Sequence, residues 1–173
     1  YLPKYNGSIF ELMSAPISAY EIVIGYAGAA ASKSILISIL ILLTSTIFVD
    51  FYIKHPLLML LLLVITSITF SLFGFIIGIW ATNFEKLQLI PLIIITPLVF
   101  LGGSFYSISM LPELWQLVTK FNPIFYIING FRWSFFGTSD IDLFTSLSLI
   151  IIFLFICLAI IGLIFKTGYR IKG

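Results

Sequence analysis

Charge is scarce in this sequence. Only 9% of its 173 residues are charged, 61% are hydrophobic, and mean hydropathy is +1.19. A soluble domain carries about 25% charged and 45–50% apolar residues. The deficit excludes a water-soluble globular protein, a disordered chain and a nucleic-acid binder. Nine basic and seven acidic residues leave a net charge of +2, too little to call for a polyanionic partner. The single cysteine, Cys157, cannot form an internal disulfide, so no oxidising compartment is implied. No G-x-x-x-x-G-K-[ST] loop is present, so the chain does not hydrolyse nucleotide by itself. There is no H-E-x-x-H and no cysteine pair to hold a metal. The one histidine, His55, lies beside Pro56 in a short turn without a sequence partner for general-base work. The long apolar runs hold no acid, which argues against a proton relay.

What is present is long apolar runs. Crossing about 30 Å of hydrocarbon takes about 20 apolar residues. The composition and runs predict an all-α integral membrane fold with spans over 22–49, 57–81, 87–103 and 143–165. The third is the weakest. Its apolar core, Leu87 to Leu101, would be only about 22 Å long. Pro91 and Pro97 interrupt it and Gly102-Gly103 ends it. It reads as a re-entrant or broken element, or as a span completed beyond its break. Ser104 to Lys120 is mixed and interfacial. Asn122 to Gly137 is a short aromatic stretch that holds Arg132.

The tail 166–173 carries Lys166, Arg170 and Lys172 and no acid, which predicts a cytoplasmic C-terminus. Counting back puts the Asp50–Pro56 turn outside and both the Asn83–Lys86 turn and the N-terminal segment inside. This parity holds only if Asn122–Gly137 does not cross. Arg132 agrees, because a mid-membrane charge costs about 2.5–3.5 kcal/mol on insertion scales.

Two capping boxes mark helix starts: Ser8 with Glu11, and Ser18 with Glu21. Pro16 separates them. A short helix over Ser8–Ser14, a break, and then the first span are expected. The first helix, with Ile9, Phe10, Leu12 and Met13, fits either the bilayer surface or a groove in a cytoplasmic partner. Tyr1 enters within a polar segment leading to a span, and no signal-peptide pattern follows it, so the chain reads as a fragment.

Small residues Ser67, Ser71, Gly74 and Gly78 share one helix face, which suits packing within the subunit, a dimer seam or a moving gate. Gly25, Ala29 and Ser32 form a similar face on the first span. Lys33 either snorkels to the cytoplasmic headgroups or lines an inner gate. Asn122-Pro123 suits a helix cap.

These motifs converge on one family. Gly7-Ser8-Ile9-Phe10-Glu11-Leu12, Ala15-Pro16, Glu21 and Gly25 resemble the cytoplasmic segment of ABC-2 type transporter permeases. Thr96 through Tyr106, with Pro97, Gly102, Gly103 and Phe105, then Leu111-Pro112 and Trp115, continue the resemblance. So do Phe121-Asn122-Pro123-Ile124-Phe125-Tyr126, Asn129-Gly130-Phe131-Arg132 and Phe136-Gly137. The flavour is that of drug- and polysaccharide-export permeases. The resemblance implies that this chain holds the last four spans of such a subunit. It implies an ATPase-coupling segment over 1–21, with Ser8, Glu11, Leu12 and Pro16 in the contact. It implies an extracytoplasmic re-entrant hairpin over 104–137, gated through Gly102, Gly103, Phe105, Tyr106, Pro112, Asn122, Pro123 and Arg132. It also implies a permease homodimer in a bacterial inner membrane, partnered by a cytoplasmic ABC ATPase that holds the ATP and Mg, with no cofactor on this chain. A non-transporting membrane scaffold is the alternative from another class.

Overall fold

The computed structural model describes residues 5–7, 11, 15–50 and 52–168. Among them there is no strand. The elements are α1 (Ala19–Phe48), α2 (Pro56–Trp80) and α3 (Phe84–Ile90). A π turn (Pro91–Ile95) then leads into α4 (Thr96–Leu101). After a 3-10 turn (Ile108–Met110) come α5 (Glu113–Lys120), α6 (Pro123–Phe136) and α7 (Leu143–Thr167). Among the described residues, four helical stretches are long and apolar enough to cross a membrane: Ala19–Phe48, Pro56–Trp80, Phe84–Leu101 and Leu143–Thr167.

The helix ends follow local chemistry. Ser18 caps α1 in a full capping box: Glu21 N–H donates to Ser18 Oγ at 3.3 Å, and Ser18 N–H donates to Glu21 Oε2 at 2.7 Å. Asp142 caps α7 by accepting from the Phe144 N–H at 2.9 Å. Gly137 and Gly168 end α6 and α7 in the left-handed region, at φ +75° and +67°.

The third apolar run is longer and less broken than its sequence suggests. Asn83 caps α3 by accepting from the Lys86 N–H at 2.9 Å, which adds a turn before Leu87. The helical path then runs unbroken for 18 residues, about 27 Å. Pro91 and Pro97 lack the N–H that an α-helix needs. The backbone absorbs this by widening into the π turn: Thr96 N–H donates to Pro91 O, and Thr96 Oγ1 donates to the same carbonyl at 3.1 Å.

Packing falls into two storeys. At one end, Val23 and Ala27 of α1 meet Leu72 of α2 and Cys157 and Ile161 of α7, with Phe73, Phe75, Phe153 and Phe165 around them. At the other end, Leu62 of α2 and Ile150 of α7 meet Ile127 of α6. The second storey is closed by α6, whose 14 residues make about 21 Å and fall short of a bilayer. Gly130 lets α6 come close, since a Cβ there would stand 3.3 Å from Leu62 Cδ1.

Hydrogen bonds identify which loops share an end. Lys54 N–H donates to Phe135 O at 3.1 Å and His55 N–H to Ser134 O at 2.9 Å. Arg132 bonds the 103–106 carbonyls. The turn before α2 and residues 103–108 and 134–142 therefore gather at one end. Tyr5 lies at the other, its ring 5.0 Å from Phe84.

Candidate functional site

The polar residues concentrate where α4, α6 and α7 meet. Arg132 is the hub. Its Nη1 donates to Asp140 Oδ2 at 2.8 Å, and its Nη2 donates to Gly103 O at 2.5 Å and Tyr106 O at 3.2 Å. Asp140 also accepts from the Ser107 hydroxyl, and from the Ile108 N–H at 3.0 Å. Its own N–H donates to Asn129 Oδ1 at 2.9 Å. Asn129 is buried and donates from Nδ2 to Phe125 O. One ion pair thus ties together the loop after α4, the body of α6 and the loop before α7.

The electrostatics suit this place. Burial pushes the Asp140 carboxyl up. The Ser107 hydroxyl, the Ile108 N–H and the Arg132 guanidinium outweigh it and hold the group below the usual carboxylate range. The two side chains are 24% and 15% exposed, so the pair is shielded more than a surface pair, and removing one partner would strand a shielded charge.

The glycines beside the hub have separate reasons. Gly103 stands at φ +81°, which a side chain rarely adopts. Gly102 is confined by approach: a Cβ there would fall 2.8 Å from Ile128 Cδ1 of α6. Asn122 works at the other end of α6. Its Oδ1 accepts the Ile124 N–H at 3.0 Å as a cap, with Pro123 opening the helix. Its Nδ2 also donates to Leu98 O at 2.6 Å, so it clips α6 to α4. Tyr106 OH donates to Phe100 O at 2.9 Å. Phe105 and Pro112 are exposed, and the Phe105 ring lies 5.8 Å from that of Phe100.

Sequence reasoning therefore brings Gly102, Gly103, Tyr106, Asn122, Pro123 and Arg132 into one region. Ser107 and Asp140 belong to no motif singled out in the sequence, and Asn129 stands there only within the Asn129-Gly130-Phe131-Arg132 run. Asp140, the acid nearest after Arg132 in a short loop, was the available signal. His55 is half-buried and stacks on Trp133, with ring centroids 4.5 Å apart. The 113–120 segment is inverted as an amphipathic helix. Its buried residue is Thr119, whose hydroxyl has no hydrogen-bond partner, while Leu114, Leu117 and Phe121 lie exposed on the opposite side.

Of the coupling residues, Ser8 and Leu12 lie outside the described residues, as does the proposed Ser8–Glu11 capping box. Glu11 is helical and exposed, Ala15 N–H donates to Glu11 O at 3.0 Å, and a bend follows at Ala15 and Pro16.

The small-residue faces are used unevenly. Ser67 is buried and its Oγ donates to Ser34 Oγ at 3.3 Å. Ser71 and Gly78 are half-buried. Gly74 is exposed, and a Cβ added there would meet nothing within 4 Å. On α1 the packed residues are Val23, Ala27 and Ala31, and Gly25, Ala29 and Ser32 face outward. The physical reason is register: the 23-27-31 row, continued by Ser34 and Ser38, is the one turned to α2.

Lys33 is exposed near the middle of α1. Its neighbour Ser34 is at the middle of the 30-residue α1 and bonds Ser67 at the middle of the 25-residue α2. That puts Lys33 roughly 18 Å from either end of α2. A lysine stem covers about a third of this distance.

Comparison with known proteins gives a consistent result. Residues 1–136 match the family described as ABC-2 type transporter. The inner membrane transport permease YadH of Escherichia coli (strain K12) is 37% identical over 151 residues, covering 87% of this chain and 59% of that protein. YadH of Shigella flexneri matches to the same extent. The chain thus spans about three-fifths of the length of these curated relatives. No solved structure matches.

Proposed function

The chain belongs to the ABC-2 type transporter family, and on that premise we propose that it is the membrane-spanning permease part of an ATP-driven exporter in a bacterial inner membrane. The motor is a separate ABC ATPase that carries the ATP and Mg, because this sequence has no phosphate-binding loop. Two permease copies form the path. A drug, lipid or polysaccharide-type cargo leaves through it.

The observation that carries the reading is the distribution of work between the two ends. One end holds α5 and α6, which are too short to cross, and α6 is fastened to α4 and the loops around it by the Arg132–Asp140 hub and the Asn122 clip. We read them as the outward re-entrant hairpin that caps the path. The opposite end holds Tyr5 against Phe84, followed by a helical turn at Glu11 and a bend at Pro16. We read residues 1–21 as the coupling segment on the cytoplasmic side, and the basic 166–173 tail as cytoplasmic too. Nucleotide-driven closure of the ATPases moves α1 through that segment, and the subunits rock apart beneath the hairpin. The energy is the difference in the ATPase's affinity for its nucleotide states.

The test is co-purification of the full-length parent protein with its candidate ATPase in mild detergent, as wild type and as the Glu11→Arg, Leu12→Arg double variant. The variant is expected to reach the membrane at wild-type levels and to lose the ATPase. Retention of the ATPase, with unchanged coupled hydrolysis, would remove the coupling role and favour a scaffold.

A further inference from the structure

We propose that the π turn at Pro91–Ile95 is a register switch, through which the Phe84 end of the third span makes or breaks the Asn122 clip at its other end. The inference deepens the exporter reading, on which it rests for which end meets the ATPase and which caps the path.

The π turn sits at a fork between two bonding patterns. Thr96 N–H donates to Pro91 O, five residues back, and the Thr96 hydroxyl donates to the same carbonyl at 3.1 Å. In an α-helix that carbonyl would take the Ile95 N–H instead. Pro97 biases the choice toward π, because a proline ring clashes with the carbonyl four residues back in the tighter α form. The span is also fastened at both ends. At one, the Tyr5 and Phe84 rings meet edge to face with centroids 5.0 Å apart, and Lys86 Nζ donates to Thr82 Oγ1 at 3.0 Å. At the other, Asn122 Nδ2 donates to Leu98 O at 2.6 Å, and Gly102 lies against Ile128. Between these ends no residue of Phe84–Leu101 is buried among the described residues. Within this chain, therefore, no packed side chain stops a twist applied at Phe84 from reaching the turn.

The consequence is geometric. Closing the turn into α shifts α4 by one residue of register, about 100° of rotation. At the backbone radius of about 2.3 Å, that moves Leu98 O by about 3.5 Å. Such a shift carries the carbonyl out of hydrogen-bond reach of Asn122, since these bonds fail much beyond about 3.2 Å. Asn122 would still cap α6, because the Ile124 N–H lies within the same turn. The switch thus frees α6 from α4 without unfolding it. At rest the turn is π and the clip is made. Under load from the coupling end the turn closes, the clip breaks and the hairpin is released.

The experiment uses the full-length protein in nanodiscs, in a Cys157→Ala background. It reads the rate of disulfide formation between Gly102→Cys and Ile128→Cys, positions that meet in the π form. Pro97→Ala removes the bias and should slow cross-linking at least about tenfold, since an interior proline disfavours an α-helix by more than that. Deleting Ile94 as well makes Thr96 the fourth residue after Pro91, so the Thr96–Pro91 bond becomes an ordinary α-helical one and the original register returns. That variant should cross-link at the wild-type rate. Should it fail to accumulate, deletion of Ile93 gives the same spacing. Unchanged cross-linking in Pro97→Ala would overturn the switch, as would slow cross-linking that the deletion does not restore. With the candidate ATPase bound, ATP and vanadate should slow cross-linking in wild type and leave the Pro97→Ala protein lacking Ile94 unaffected. Equal slowing in both would show that α4 and α6 part as rigid bodies and would overturn the coupling route, as would no slowing in wild type. The first comparison needs no ATPase, so an ATPase that never binds would count against the exporter reading while the register result still decides the switch.

Discussion

At the scale of single residues, the Arg132–Asp140 pair should behave as a coupled unit. Removing Arg132 leaves a shielded carboxylate facing two carbonyls that have lost their donor. In a double-mutant cycle of Arg132→Met and Asp140→Asn, read by thermal unfolding in detergent, a coupling energy of about 1–3 kcal/mol is expected. Additive single effects would mean that the hub adds no more than its separate contacts. The pH dependence has a definite sign. The folded protein holds Asp140 below the usual carboxylate range, so the unfolded chain binds that proton more readily. The stability from this group is fully present above the usual range and is lost as pH falls through the lower folded value. Asp140→Asn should flatten that acid limb of the melting profile. Arg132 was legible in the sequence because a charge in an aromatic run demands a reason. Asp140 was not, because an acid in a loop has an ordinary solvated explanation, and only the fold turns it toward Arg132.

At the scale of elements, Asn122 does two jobs that the sequence shows only by half. The cap follows from Asn before Pro. The clip to Leu98 O depends on α4 lying alongside, which no local pattern reveals. Asn122→Ala should therefore cost about 1 kcal/mol for the cap and about 1 kcal/mol more for the clip. Asn122→Ser keeps a capping oxygen and loses the amide donor to Leu98 O, so its melting temperature should fall between those of wild type and Asn122→Ala. A wild-type melting temperature in Asn122→Ser would show that the clip contributes nothing. The same division explains the third span. Two prolines read as a break, yet a π turn and the Thr96 hydroxyl keep the helix continuous. The Ser18–Glu21 box, by contrast, was fully legible, because all its partners lie within one turn. The outward-facing Gly25, Ala29 and Ser32 show the limit of small-residue spacing: several faces of α1 meet that criterion, and the neighbours choose among them.

At the scale of the whole molecule, the storeys carry the account. One is built by α1, α2 and α7. The other is built by α2, α7 and α6, a helix too short to cross. Span parity in the sequence already required a non-crossing 122–137 stretch. The fold adds that residues 103–108, before α5, and 134–142, after α6, gather at the end where Lys54 and His55 lie. The central claim is that this end faces outward and that α5 and α6 enter and leave from the same side. The most direct measurement is labelling of single cysteines, in a Cys157→Ala background of the full-length protein in intact cells, by a membrane-impermeant maleimide. Tyr52→Cys, Ser109→Cys and Thr138→Cys should label from outside, and Glu85→Cys and Lys166→Cys only after the membrane is opened. If Thr138→Cys is protected while Tyr52→Cys and Ser109→Cys label, α6 crosses the membrane and the account of a capped outward path is wrong.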